Sequence, residues 1–326
     1  MKHITILTPN GENNLSSIVG AYKILNRANN YAKEKGKRDL YKIELAGISK
    51  KVEFHDGLFS VKPHTHIGAI KATNLVIIPS LNHNFLNTIK GNNAIIEWII
   101  KQYKRGAEVA SICTGAFLLA STGLLDGKTC STHWAFADRF KMQFPNIQLK
   151  PERIITDENG IYTNGGAFSF LNLMIYLVEK YFDRQTAIFC SKVFQIEMDR
   201  QTQSPFTIFA GQKSHSDEEI ITAQNFIEKN FDKKISIEAL SSKLAIGRRS
   251  FDRRFIKATG NTPIEYQQRV RIETAKKALE SSRKNINEVM YETGYSDEKA
   301  FREVFRRITG VSPLEYKRKF NKDAII

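Results

Sequence analysis

The chain has 326 residues, a formal net charge of +15 and a pI near 9.6. That length allows about two domains, and the charge favours a polyanionic partner. Its three cysteines, Cys113, Cys130 and Cys190, lack paired spacing, which argues against a disulfide framework or zinc site and for a reducing compartment. With no signal-peptide pattern and no apolar run of about 18 residues, we expect a cytoplasmic protein without membrane span, metal or cofactor.

The first two-thirds of the chain alternates short apolar runs with amphipathic segments. The run Leu75–Pro79 has no polar alternation, as expected for a strand buried on both faces. Strands alternating with helices predict a parallel, flavodoxin-like α/β sheet covered by helices, although the pattern leaves the strand order open. Strands are predicted at 4–7, 43–48, 75–79, 108–112 and 128–132, a hairpin around 157–160, and helices at 17–35, 95–103 and 167–182.

The sharpest local feature of this region is the segment SICTGAFLLASTGLLDG, which begins at Ser111. A buried strand ends, Cys113 follows, and Thr114 opens a helix with small residues that permit a sharp turn. This pattern predicts a strand–nucleophile–helix elbow in which the helix N-terminus lowers the thiol pKa. A buried structural cysteine is the alternative.

A histidine and a glycine-containing turn are expected beside the elbow. His133 ends the strand predicted at 128–132, and the carboxyl ends of parallel strands gather at one edge of a sheet. Asn164 and Gly165 precede the helix predicted at 167–182, where they favour a tight turn that forms a wall of the same pocket.

The last third of the chain contains one motif twice, at Ser250–Tyr266 and Ala300–Tyr316, displaced by fifty residues. Each copy has two phenylalanines one turn apart, a glycine that ends the helix, and a Thr-Pro or Ser-Pro capping box that opens the next helix. The repeat predicts two helix-turn-helix motifs in an all-α domain, with helices at 237–244, 248–258, 263–282, 286–292 and 297–308.

The helix faces opposite the phenylalanines carry many charges, which favours contact with double-stranded DNA. At about 1.5 Å per residue the connecting helix is roughly 28–30 Å long, close to the ~34 Å turn of B-DNA, so two recognition helices can enter successive major grooves. Arginine bonds guanine through two donors, which makes Arg249 and Arg253 the best candidates for reading bases. The predicted DNA-binding set is Arg249, Ser250, Arg253, Lys257, Lys299, Arg302, Glu303, Arg306 and Arg307.

Two family resemblances follow from these motifs. Residues 3–185 resemble the PfpI-type, class I glutamine-amidotransferase-like domain, with Cys113 at its elbow and STHW from Ser131 matching its histidine-bearing segment. The sequence from Cys113 to Trp134 is similar to that of a GlxA-like subgroup in which this domain is fused to a DNA-binding module. Residues 217–319 resemble the AraC-type helix-turn-helix domain, through TGxxPxEY in each half and GYSDEKAFREVF in the second.

The resemblances imply a division of labour along the chain. They assign residues 1–185 to ligand sensing and dimerisation, 186–216 to a linker, and 217–322 to DNA binding. The partners expected on this basis are double-stranded DNA, a small-molecule effector and a second copy of the chain.

The sequence departs from the enzymes of the PfpI superfamily at one position that matters. Those enzymes resemble one another in placing an acidic residue near the elbow thiol, and here that position is Ser16 or Ser17, with Glu12 displaced into the preceding loop. Without a carboxylate to orient a base, the catalytic arrangement is incomplete, and Cys113 and His133 are interpreted as vestigial. The pocket residues predicted for the effector are Cys113, Thr114, His133, Asn164 and Gly165.

Two hypotheses of different classes therefore stand. One is a ligand-responsive transcription regulator, and the other is a cysteine-dependent hydrolase or glyoxalase-like enzyme, using Cys113 with His133, fused to a DNA-binding module. The sequence specifies neither the effector, nor the operator, nor the sign of regulation.

Overall fold

The computed structural model describes residues 2–11, 13–38, 40–82 and 85–322. It divides into two compact units, Met1–Gln203 and Ser204–Ile326. Residues expected in the linker at 186–216 are therefore distributed between the two units. Among the described residues, no helix combines the length and the apolar character that a membrane span requires.

The first unit is an α/β domain built on a seven-stranded sheet of order β10-β11-β7-β6-β1-β2-β5, in which every neighbouring pair is parallel except β10 with β11. Its elements are β1 Lys2–Leu7, α1 Leu15–Glu34, β2 Tyr41–Gly47, β3 Val52–Phe54, β4 Phe59–Val61, β5 Thr65–His66, β6 Leu75–Ile78, α2 Phe85–Lys90, α3 Asn93–Lys104, β7 Glu108–Ser111, α4 Ala116–Ala120, β8 Thr129–Cys130, α5 Ala137–Gln143, β9 Gln148–Leu149, β10 Ile155–Glu158, β11 Ile161–Asn164, α6 Phe170–Tyr181 and α7 Arg184–Phe194.

Strand β6 shows why the predicted parallel sheet forms. Leu75 and Ile77 belong to the core beneath α1, α6 and α7, whereas Val76 and Ile78 belong to the core on the opposite face, with α3 and α4. Because successive side chains of a strand point to opposite faces, a strand buried on both sides must be apolar at every position. The predicted α/β fold class is confirmed.

The strand predicted at 128–132 is shorter than expected and lies outside the main sheet. Within the described part of the chain, its remnant, β8, pairs with β9 and with no other strand. The backbone amides of Thr129 and Ser131 donate to side chains of the β10–β11 hairpin, Glu158 Oε2 at 2.8 Å and Thr163 Oγ1 at 2.6 Å. Side-chain acceptors thus take the place of a neighbouring strand, because buried amides must be satisfied in some way.

The second unit consists of helices arranged around two small cores. The first core contains Phe251, Phe255 and Tyr266, and the second contains the equivalent residues fifty positions later. A long central helix, α11, contributes to both cores. The helices are α8 Glu218–Lys229, α9 Ile237–Lys243, α10 Arg248–Thr259, α11 Pro263–Ser281, α12 Ile286–Glu292, α13 Glu298–Thr309 and α14 Pro313–Phe320.

The capping signals read from the repeat are confirmed in both copies. Gly260 ends α10 with φ +68°, and its counterpart fifty residues later ends α13 with φ +77°. Thr262 with Glu265, and Ser312 with Glu315, form complete capping boxes at the starts of α11 and α14. These local bonds satisfy helix-end amides that otherwise lack partners, which fixes the same helix boundaries twice.

Candidate functional site

The predicted elbow is present at the end of β7. Cys113 adopts φ +54°, in the left-handed region that residues other than glycine rarely occupy. Two residues later the chain passes so close to the loop after β6 that a Cβ at Gly115 would lie 2.5 Å from the carbonyl oxygen of Pro79. Small residues are therefore a steric requirement of this turn.

The environment of the Cys113 thiol corrects one prediction from the sequence. The residue is only 3% exposed, and burial raises the pKa of its thiol, although hydrogen bonds from Ser80 and Thr114 oppose that shift. The predicted lowering of the pKa by the helix N-terminus is wrong, because burial raises the pKa of this thiol and the helix that follows it, α4, has only five residues. A protonated thiol is a weak nucleophile at neutral pH.

Hydroxyl groups occupy the space where a carboxylate was sought. Ser17 is buried on α1, and its Oγ donates to the Asn14 carbonyl at 2.7 Å and accepts from the Ser80 amide at 3.1 Å. The hydroxyls of Ser80 and Thr114 lie 2.9 Å apart, which extends this network to the elbow. Ser16 is exposed, and Glu12 lies outside the described residues.

The structure brings Thr132, rather than His133, into hydrogen-bond contact with Cys113. Thr132 Oγ1 donates to the Cys113 carbonyl at 3.0 Å. His133 instead caps a short 3-10 turn through its Nδ1, which accepts from the Ala135 amide at 3.1 Å. Burial lowers the pKa of His133, which favours the neutral imidazole, and no bond joins its ring to the thiol among the described residues.

Asn164 and Gly165 hold a tight turn between β11 and α6. Asn164 is fully buried, and its Nδ2 donates to the carbonyls of Ile154 and Ser169 at 3.1 and 3.2 Å. A Cβ at Gly165 would collide with the Gln203 side chain and would lie 2.7 Å from a backbone carbonyl. The Asn164 Oδ1 atom is buried and has no hydrogen-bond partner among the described residues.

Sequence reasoning missed Gln203, which supports the segment beside the elbow. It is 1% exposed, its Nε2 donates to the carbonyls of Thr132 and Pro151 at 2.8 and 2.6 Å, and its Oε1 accepts from the Trp134 amide at 3.4 Å. Because Thr132 also bonds Cys113, two hydrogen bonds through Thr132 connect Gln203, the last residue of the first unit, to the elbow. Gln203 lies in the segment interpreted as a linker, where a polar residue is ordinary, so the sequence gives no signal of this structural role.

In the second unit, α10 presents an exposed basic face. Arg249, Arg253 and Lys257 are exposed and form no hydrogen bond or ion pair with the described residues. Ser250 lies half-buried between them. The buried phenylalanines of α10 occupy the opposite side, so the free cations project into solvent.

Two other arginines of α10 are held by acidic side chains. Arg248 Nε donates to Asp252 Oδ2 at 2.9 Å. Arg254 donates to both carboxylate oxygens of Asp217, at 2.9 and 2.6 Å, and the pKa of that carboxyl is lowered chiefly by this bond. These two cations are therefore partly neutralised, unlike their neighbours on the exposed face.

The equivalent face of α13 is more mixed in charge. Lys299, Glu303 and Arg306 are exposed and have no hydrogen-bond partner among the described residues. Arg302 pairs with a glutamate one turn earlier, and Arg307 donates to a glutamine of α11. Between α10 and α13 lies α11, whose 19 residues span about 28 Å.

The sequence matches the DJ-1/PfpI family over residues 18–180, half of the chain. The chain belongs to the DJ-1/PfpI family. Residues 240–319 match a helix-turn-helix domain, which covers both copies of the repeat. The DJ-1/PfpI match contains the elbow, and the helix-turn-helix match contains both exposed helix faces.

Curated relatives extend the similarity across both units. The chain is 25% identical over 224 residues to the HTH-type transcriptional regulator GbdR of Pseudomonas aeruginosa, covering 68% of this chain and 60% of GbdR. It is 25% identical over 218 residues to GlxA of Rhizobium meliloti, covering 66% of each. The chain thus spans about 60% of the length of GbdR.

Other similarities concern parts of the chain. Isonitrile hydratase of Pseudomonas putida is 28% identical over 113 residues, covering 34% of this chain and 46% of that enzyme. The crystal structure of an AraC family transcriptional regulator from Pseudomonas putida matches 60% of this chain and 100% of its own, with a TM-score of 0.50 and 16% identity. At that identity the structural match shows the fold.

Proposed function

We propose that this protein is a sequence-specific, DNA-binding transcriptional regulator whose DJ-1/PfpI unit senses a small molecule. The observation that carries the proposal is the basic face of α10, repeated in altered form on α13, with the 19-residue helix α11, about 28 Å long, in the chain between them. The length of α11 is close to one turn of B-DNA, ~34 Å, which supports contact of one protomer with two successive major grooves. The regulators among its relatives support this reading.

The first copy supplies the stronger base-reading surface. Arg249 and Arg253 lie one turn apart, and neither guanidinium group is paired with a described residue, which suits bidentate bonds to guanine. Lys257, further along the same face, suits a phosphate contact, and Ser250 lies between the two arginines. Arg248 has a minor role because Asp252 already holds it.

The second copy supplies a weaker and different surface. Lys299 and Glu303 stand where the first copy has its two arginines, and a carboxylate accepts a bond from cytosine or repels phosphate. Arg306 and Arg307 suit phosphates. Arg302 must first leave its intrahelical partner, which reduces its contribution.

The elbow of the DJ-1/PfpI unit supports a binding pocket rather than a catalytic centre. Cys113 and Thr114 are buried among hydroxyl groups, and the pKa shifts of Cys113 and His133 both favour neutral forms. Asn164 offers a buried, unpaired oxygen on the turn it shares with Gly165. We infer that the effector is a small polar molecule that bonds these groups.

Apolar side chains on the surface of the first unit support a homodimer. Val19 on α1, Ile188 and Val193 on α7, and Phe168 before α6 are exposed, and Phe168 is 66% exposed. The three helices pack on one another, so these side chains belong to one side of the sheet. Sedimentation of the full chain tests the dimer, and Phe168→Glu is expected to shift it towards the monomer.

Selection from random duplexes tests the DNA-binding proposal. The full chain is expected to enrich a motif with two halves about 10.5 base pairs apart, and its affinity is expected to fall steeply with salt. Addition of candidate metabolites then shows whether DNA affinity changes while the metabolite remains intact. Recovery of unenriched sequence after repeated rounds would contradict the proposal.

The second candidate function is a cysteine-dependent enzyme fused to a DNA-binding module. The left-handed Cys113 and the similarity to an isonitrile hydratase favour it. The test incubates the full chain with small amides, 2-oxoaldehydes and isonitriles, beside Cys113→Ala. Turnover that the substitution abolishes would establish the enzyme, whereas equal background in both proteins supports the regulator.

A further inference from the structure

A groove in the second unit lies outside the predicted DNA-contact residues. It has a volume of about 230 Å³ and is formed by the end of α8, the following loop and α9. Its floor is apolar, and among the described residues that line it three are lysines and none is acidic. The residues that decide its chemistry are Phe226, Ile235, Leu240, Lys233, Lys234 and Lys243.

The lysines bracket this groove, which we name the α9 groove, from its two ends. Lys233 and Lys234 lie in the loop before α9, and Lys243 is the last residue of that helix. A helix of seven residues is about 10 Å long, so the charges are spread along the groove. The Lys243 ammonium lies 5.4 Å from the centre of the Phe226 ring, on the apolar floor.

The internal repeat provides a built-in comparison for this groove. In the second copy, Lys284 stands where the first has Ile235, directly before the helix cap, and Glu292 stands where the first has Lys243. Lys284 Nζ bonds both oxygens of Glu292, at 2.6 and 2.8 Å. An ion pair therefore joins the two ends of α12 in the second copy, whereas the equivalent positions at the ends of α9 carry an isoleucine and a lysine and leave excess positive charge.

We propose that the α9 groove binds an acidic protein segment that carries an apolar anchor side chain. Three apolar side chains form a floor that a DNA phosphate cannot use, whereas an inserted leucine or phenylalanine buries against it. The lysines at both ends match acidic residues on either side of that anchor. One small carboxylate cannot reach both ends at once.

Binding at the α9 groove does not depend on which DNA sequence the protein reads. A surface that binds an acidic segment of another protein beside the first helix-turn-helix would let the second unit engage DNA and a protein partner together. The DNA-contact candidates lie on α10 and α13, and none of them lines the groove.

The test measures binding of a fluorescein-labelled peptide, Asp-Glu-Leu-Phe-Asp-Glu, to the full chain by anisotropy. Lys243→Glu introduces the residue found in the second copy and is expected to weaken binding about tenfold, because attraction becomes repulsion. Ala239→Leu, which fills the groove without changing charge, is expected to weaken it about fivefold. Lys277→Glu, an equal charge change at an exposed position of α11, is the matched control and should stay within about twofold.

Three results would overturn the proposal. The first is no binding of the peptide at about 1 mM. The second is equal affinity for a peptide with Ala-Ala in place of Leu-Phe, which would reduce the effect to charge alone. The third is displacement of the peptide by random duplex DNA together with equal weakening of both ligands by Lys243→Glu, which would make the groove a phosphate contact. Circular dichroism of each variant confirms that the comparison is made between folded proteins.

Discussion

The two helix-turn-helix copies have cores built from the same residue types, but their turns and their exposed faces differ. In the first, the turn between helices places Ala245 in the left-handed region at φ +53°, whereas the second uses Gly294 at φ +80°. A Cβ at Gly294 would collide with the backbone of Asp232. The fold therefore depends on the phenylalanines, caps and turns, while the solvent-facing positions are free to differ in charge and, we propose, in function.

The largest expected effect concerns the turn of the second copy. Gly294→Ala should lower the free energy of unfolding by about 3 kcal/mol or more, because the backbone must shift away from Asp232 and the left-handed conformation becomes strained. Chemical denaturation followed by circular dichroism measures this. A loss below about 1 kcal/mol would show that the contact with Asp232 relaxes easily.

The next effect concerns charge on the second recognition face. Glu303→Arg gives α13 the residue that α10 has at the equivalent position. Replacement of a carboxylate near phosphates by a guanidinium group should raise affinity for random duplex DNA by about tenfold at low salt. The slope of log affinity against log salt concentration should steepen by about one or two, the number of additional counterions released. Salt titrations of duplex binding check this, and an unchanged slope would place α13 away from DNA.

A smaller effect is expected in the first turn. Ala245→Gly relieves a strained backbone at a cost in unfolded-chain entropy, so we expect a gain of about 0.5 kcal/mol in stability. Denaturation of this variant beside Gly294→Ala gives changes of opposite sign at equivalent positions. A loss on Ala245→Gly would mean that the methyl group contributes packing that outweighs the strain.

The smallest effect is a pH dependence shared by the copies. The backbone amides of Thr262 and Ser312 lower the pKa of Glu265 and Glu315 below their ordinary value. A depressed carboxyl pKa adds stability that is present above about pH 4.3 and is lost as pH falls through the folded-state value. Glu265→Gln should therefore flatten the acid side of the stability profile, as measured by unfolding between about pH 2 and 6.

Sequence alone predicted the elements whose causes are local. The helix at 286–292 has the predicted bounds, and the recognition helices agree within one residue, because caps and phenylalanine spacing lie within a few positions of each helix. The elbow was likewise visible in the pattern of small residues around Cys113. The repeat predicted both helix-turn-helix motifs, whereas the DJ-1/PfpI fold came from the family resemblance, because the sequence pattern left the strand order open.

The chemistry of the pocket could not be predicted, because it depends on contacts between distant segments. Ser80 reaches Thr114 across 34 positions, and Gln203 reaches Thr132 across 71. Burial of Cys113, rather than these hydrogen bonds, raises the pKa of its thiol and so reverses the predicted direction of the shift. β8 ends at Cys130, so His133 lies beyond the strand and caps a local turn. The strand propensity of residues 128–132 does not predict this early end.

The most direct test compares base preferences of Arg253→Ala and Arg248→Ala with the unaltered protein on duplexes that carry every single-base change in the selected motif. Among the described residues Arg253 has no ion-pair partner, whereas Arg248 is held by Asp252. The two substitutions therefore remove the same charge, but only Arg253 has a guanidinium group that is not already paired. We expect Arg253→Ala to cost about 1–3 kcal/mol on the best site and to remove the preference at one or two positions, while Arg248→Ala preserves the profile. Equal weakening on all duplexes by Arg253→Ala, with the profile intact, would contradict base reading by α10.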